Sequence, residues 1–129
     1  MTHDDGTSHL MLSGLQRVEV IGYEQHAPFR LASVMPLDDQ VEDASAATAL
    51  GLEVVDLFAK LGEAGLPVSE ALQTHLSSTR DPGAIADIVG HNLVAEPLTR
   101  QKLIDETVID RRLELLREWM GKVLANHEA

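Results

Sequence analysis

The hydrophobic period of this chain changes once, near Asp39, and that change constrains its architecture more than any other feature. Before Asp39 apolar residues alternate with polar ones. After it they recur every three to four positions. A period of two sends successive side chains to opposite faces of a strand, whereas a period near 3.6 gathers them into one stripe of a helix. Strands first and helices after is an α+β order.

The early part reads as short strands. Asp5-Gly6 is a strong turn signal. Residues 9–13 read as a strand that Gly14 interrupts. Residues 17–24 read as a second, with Val18 and Val20 on one face and Glu19, Ile21 and Tyr23 on the other. His26-Ala27-Pro28 makes a turn. Residues 29–35 read as a third strand, with Phe29, Leu31, Ser33 and Met35 on one side, and Pro36 ends it.

The later part reads as helices. Leu50, Val54, Leu57, Phe58 and Leu61 form one amphipathic stripe, closed by Gly62 and Gly65. Pro67 and Ser69 start a short helix through about residue 76, with Val68, Leu72 and Leu76 expected inward. Asp81 suits an N-cap because its carboxylate can accept from free backbone N–H groups, and Pro82 suits the first helical turn. Ile85, Ile88 and Val89 form the apolar face of that helix. Thr99 is expected to cap a helix containing Leu103 and Ile104. Ile109, Leu113, Leu116, Met120 and Val123 mark the last helix, with Arg111, Arg112, Glu114, Arg117 and Glu118 expected on its other sides. The expected fold is therefore a small antiparallel sheet of about three strands followed by four to five helices. It is expected as one domain over residues 1–129, with a strand part, 1–36, and a helical part, 37–129.

Charge and composition exclude several function classes. Ten Lys and Arg against 21 Asp and Glu give a net charge of −11. Such a surface repels nucleic acid unless a local basic patch dominates. Between Pro36 and Glu70 Lys60 is the only cation among eight acids. With no cysteine, disulfides and thiolate metal sites are out, as suits a reducing cytoplasm. No basic-then-apolar leader opens the chain, and no apolar run approaches the ~20 residues that span a bilayer.

A search for chemistry returns nothing catalytic. The six histidines form no H-E-x-x-H pair or other ligand spacing. Asp87 and His91 stand four apart on one helix, which suits a hydrogen bond or ion pair better than a metal. There is no G-x-S-x-G elbow and no G-x-x-x-x-G-K-[ST] loop to cradle phosphates. The chain is expected to be no enzyme and to need no cofactor and no metal. Two readings stand for its exposed-looking apolar residues. Tyr23, Phe29, Leu31 and Met35 could line an apolar groove at the sheet, and Trp119 could anchor a partner; alternatively, all five pack against their own neighbours.

Two groups of motifs add a resemblance. Residues 80–93, RDPGAIADIVGHNL, hold a D-P-x-x-[LI]-A-D segment with a following His. The next stretch, PLTRQKLIDETVIDRRLELL, holds R-Q-x-L-[LI]-[ED] and R-L-E-x-L. Near the start, DGTSHLMLSGLQRVEV holds a D-G-T turn and a G-L-x-R strand. From Asp5 to about Leu124 the chain resembles the amino-terminal domain of Lon, the ATP-dependent protease. The resemblance implies a PUA-like pseudobarrel of strands joined to a helical bundle, roles in recognising unfolded or tagged clients and in assembly, and no fixed catalytic residue. Arg17, Asp81, Pro82, Asp87 and His91 match recurrent positions and are read as fold determinants.

The resemblance also implies strands upstream of the D-G-T turn and a helical arm downstream. The chain is accordingly expected to be a truncated relative or a fragment of full-length Lon protease. A sheet without flanking strands exposes edge N–H and C=O groups. The functional expectation is a non-catalytic, cytoplasmic protein-binding domain that engages unfolded clients or a protease partner and self-associates through the strand region. The alternative is a purely structural or oligomerisation module. No nucleic acid and no membrane are expected as partners.

Overall fold

The computed structural model describes residues 6–128. The chain forms two compact units, Met1–Asp38 and Asp39–Ala129. The elements run β1 (Arg17–Gln25), β2 (Leu31–Leu37), α1 (Ala44–Glu63), α2 (Glu70–Ser78), α3 (Pro82–Leu93), α4 (Pro97–Asp105) and α5 (Ile109–Glu128). The fold is α+β, with a two-stranded antiparallel sheet and five helices.

In the first unit β1 and β2 make one hairpin. The strand expected at residues 9–13 is absent from the described residues; only Ser8, just before it, makes an isolated bridge. The Asp5-Gly6 turn lies partly outside the described residues, and Gly6 has a positive φ of 83°. Strand β2 starts two residues later than expected, leaving Phe29 in the connecting turn, and it runs through Pro36 to Leu37. Pro36 is tolerated because β2 is an edge strand whose missing donor can face outward.

The pairing register carries one further correction. Val18 faces Pro36 and Val20 faces Val34, but Gly22 faces Ser33 and Tyr23 faces Ala32. Register shifts fall between Val20 and Gly22 and between Tyr23 and Gln25. Each inserts an extra residue in β1 and resets the alternation. Residues paired across a ladder share a face. Tyr23 therefore joins Val18 and Val20 on one side and leaves Glu19, with which simple alternation grouped it.

In the second unit the helices begin where the caps dictate. Asp43 Oδ1 accepts from the amide of Ala46 at 3.1 Å, Ser69 Oγ from Leu72 at 3.1 Å, and Asp81 Oδ2 from Ala84 at 3.3 Å. Helix α4 departs from expectation. Its N-cap is Glu96, not Thr99, and its carboxylate accepts from the amides of Leu98 and Thr99 and from the Thr99 hydroxyl. Pro97, pre-set for the first helical position, moves the start ahead of Thr99.

Helix α1 ends in a Schellman motif. The amide of Leu66 donates to the Leu61 carbonyl and that of Gly65 to the Gly62 carbonyl, both at 3.1 Å. The motif requires a left-handed residue, and Gly65 supplies it at φ 99°.

Helices α1, α3 and α5 pack on one another around the core. Val54, Phe58 and Leu61 of α1 meet Ile85 and Val89 of α3 and Leu113, Leu116 and Met120 of α5, all buried. These are the stripes read from the periodicity. Burying each such side chain contributes roughly 1.5–3 kcal/mol.

The polar side of this unit holds the main surprise. Arg112, expected on the outer surface, is only 1% exposed. Its Nη2 donates to Asp39 Oδ1 at 2.8 Å, its Nη1 to Asp87 Oδ1 at 3.1 Å, and its Nε to the Glu106 carbonyl at 3.0 Å. The position continues the apolar stripe of α5, three after Ile109 and four before Leu116. A charged residue there marks a built site, and that was its sequence signal. Asp110 is also buried and accepts from the amides of Glu42 and Asp43 at 3.1 and 2.8 Å. A parallel bridge of Gln40 with Val108 completes the attachment of residues 39–43 to the start of α5.

Candidate protein-binding surface

The hairpin presents one apolar face built by the register just described. Val18, Val20 and Tyr23 of β1 lie on the same side as Ala32, Val34 and Pro36 of β2. The large ones, Val18, Val20, Tyr23 and Val34, are each between 45% and 49% exposed. Isolated exposed apolar residues are ordinary, but a contiguous set on one side of a sheet marks an interaction surface. The opposite face is mixed: Arg17, Glu19, Gln25 and Ser33 stand among Leu31, Met35 and Leu37.

The structure divides the residues expected to form a groove. Tyr23 belongs to the apolar face, whereas Leu31 and Met35 share the opposite face with Ser33. Phe29 is exposed in the turn, where its carbonyl accepts from Gln25 Nε2 at 3.1 Å. Trp119 lies in the helical unit, half-buried against the core. Alternation missed Val18, Val20 and Val34 as companions of Tyr23 because the register shifts in β1 are not legible in its residue types.

Polar groups orient both faces. The Arg30 guanidinium lies 5.4 Å from the centre of the Tyr23 ring, and the His26 ring lies 5.5 Å from it. This cation–π contact sets a charge at the turn end of the apolar face. On the other face Ser33 Oγ donates to Glu24 Oε1 at 2.7 Å. Among the described residues each strand of the hairpin sheet has a single neighbour, so each also offers an outer edge.

The titratable groups that shift belong to the helical scaffold. The hydrogen bond from the Thr99 hydroxyl chiefly holds the Glu96 carboxyl below its ordinary value. Burial pushes the Asp110 carboxyl up, but the amides of Asp43, Glu42 and Asp110 itself, with the Arg111 charge, hold it below its ordinary value. Asp87 accepts from Arg112, and His91 Nδ1 lies 3.3 Å from Arg100 Nη2. Among the described residues no group of three or more His, Asp or Glu side chains gathers as a metal would require. No helix among them is long and apolar enough to cross a membrane.

Comparison with known proteins places these features in a family. The model of the ATP-dependent protease La (LON) substrate-binding domain matches residues 1–122. Lon protease of Dictyoglomus thermophilum is 23% identical over 120 residues, covering 93% of this chain and 15% of that protein. Lon protease of Brevibacillus choshinensis is 24% identical over 112 residues, covering 87% and 14%. Lon protease of Azorhizobium caulinodans is 26% identical over 110 residues, covering 85% and 13%. The chain spans about 15% of the length of the first of these relatives. With the α+β order, the hairpin and the D-P helix in place, the chain belongs to the family of Lon substrate-binding domains.

Proposed function

We propose that this chain is a non-catalytic recognition domain that binds exposed apolar segments of other polypeptides on the hairpin. The observation that carries this reading is the single apolar face of Val18, Val20, Tyr23 and Val34, each about half exposed. An unfolded segment covers those side chains and can add hydrogen bonds along an outer strand edge, which is β-augmentation. Specificity then comes from alternate side chains and affinity from the shared backbone pairing. Tyr23 is the anchor of the face, as aromatic residues are at many interfaces. Leu31 and Met35 serve a client that wraps the edge onto the second face, and Phe29 is a secondary contact. The partner is an unfolded client or a protease in the cytoplasm, and binding needs no cofactor.

Labelled, reduced casein tests the proposal by fluorescence anisotropy. The wild-type chain is expected to bind saturably and Val20→Asp with Val34→Asp to lose binding. Equal binding by both proteins, or none by wild type, sinks the reading.

A second reading is favoured by the outer edges of the two-stranded sheet. There the hairpin pairs with a second copy, giving a structural or oligomerisation module. It predicts a dimer in light scattering that casein does not dissociate.

A further inference from the structure

The helical unit carries a pocket that the hairpin reading leaves unused. It has a volume of about 230 Å³ and is lined by Leu61, Leu66, Pro67, Leu93, Trp119 and Val123. Asn92 is its one polar side chain. Pockets that take whole small molecules start near 300 Å³, so a single large side chain is the better match in size.

Its place in the fold sets its electrostatics. Leu61 and Leu66 are joined by the Schellman bond that ends α1, and Asn92 and Leu93 are the last two residues of α3. Two helices thus end at the pocket by their carboxyl termini. At the end of α1 the Lys60, Leu61 and Gly62 carbonyls are filled by backbone amides, so the free acceptors, and the roughly half negative charge they carry, belong to the end of α3. The amide of Val94 fills the Gly90 carbonyl, while those of His91, Asn92 and Leu93 accept from no backbone amide outside the helix among the described residues. Asn92 Nδ2 donates to the Ile88 carbonyl at 2.7 Å, which leaves its Oδ1 as an acceptor. The end of α1 already holds one donor, His127 Nε2 against the Ala64 carbonyl. The nearby cation on α5, Lys122, is paired with Glu118 at 3.2 Å. The unit from Asp39 onward has 16 acidic residues against eight basic ones.

Apolar walls, an indole and an acceptor-rich rim suit a side chain with an aliphatic stem and a cationic head. We propose that this pocket takes an arginine side chain of a bound polypeptide, its stem and guanidinium plane against Trp119 and its charge at the carboxyl end of α3 and Asn92 Oδ1. Arginine fits better than lysine because its flat head stacks on an aromatic ring while donating in plane. The assignment rests on the reading of the chain as a polypeptide-binding domain but uses a surface separate from the hairpin.

Trp119 is the one tryptophan, so its fluorescence reports directly on the pocket. The full chain is titrated with the peptide acetyl-Ala-Leu-Arg-Leu-Ala-amide, and with citrulline, leucine or glutamate in place of the arginine. The arginine peptide is expected to change Trp119 emission saturably. The neutral citrulline peptide should bind about tenfold more weakly, and the glutamate peptide should give no response. Asn92→Lys, at an exposed position, should abolish the response with an unchanged circular dichroism spectrum. Leucine or citrulline peptides binding as tightly as arginine overturn the proposal, as does the absence of any saturable change. Tyr23→Asp should leave the titration untouched; if it abolishes it, the response belongs to the hairpin and the pocket assignment falls. Failure of the wild-type chain to bind casein, with the arginine titration intact, would instead sink the hairpin reading alone.

Discussion

Arg112 donates to Asp87 across 3.1 Å, tying the D-P helix α3 to the first turn of α5. The two residues come from two of the motifs that carry the family resemblance. Asp39 completes the group at 2.8 Å, where the chain enters the helical unit. The residue at the centre is buried while Asp39 and Asp87 keep contact with water, so most of the desolvation cost falls on the arginine.

Arg112→Ala is expected to destabilise the chain by about 3 kcal/mol, because it takes the guanidinium away from two carboxylates and a carbonyl and leaves a cavity. Asp87→Asn should cost less, about 1–2 kcal/mol, since Asp39 and Glu106 still hold the guanidinium. Urea unfolding followed by circular dichroism gives both values. A cost for Asp87→Asn equal to that for Arg112→Ala would contradict this division.

Asp110 makes stability depend on pH. Its folded-state carboxyl sits below the ordinary value of 3.8. A group lowered on folding contributes fully above its unfolded value and loses that contribution as pH falls through its folded value. Stability should therefore decline below about pH 4, and Glu96 adds to the same trend. Asp110→Asn should flatten the decline when chemical denaturation is repeated between pH 6 and pH 3 (about this range brackets both carboxyls).

Gly65→Ala should cost about 1 kcal/mol, the penalty for a side chain held in the left-handed region. It should leave casein binding unaltered. Thermal unfolding, with the pH held constant, measures the loss.

On the hairpin the two faces should answer differently. Val20→Asp puts a charge among Val18, Tyr23 and Val34 and should abolish client binding. Met35→Asp, on the mixed face, should weaken it only a few-fold (on the order of 1 kcal/mol). Neither should shift the unfolding midpoint of the helical unit. Parallel anisotropy and denaturation curves separate the two effects, and a larger loss for Met35→Asp would assign the client to the other face.

Periodicity determined the order of elements and the stripes of α1, α3 and α5, and residue type determined the caps Asp81 and Ser69. Those features are local: a helix stripe and a cap depend on residues within a turn or two of one another. Tertiary structure decided the rest. The register shifts in β1 depend on how β2 pairs with it, so Tyr23 changed faces without any mark in the strand itself. Arg112 became an inward residue because Asp39 and Asp87, from distant parts of the chain, arrive to compensate its charge. The pocket beside Trp119 exists because two helices end against a third, and no single segment contains that arrangement.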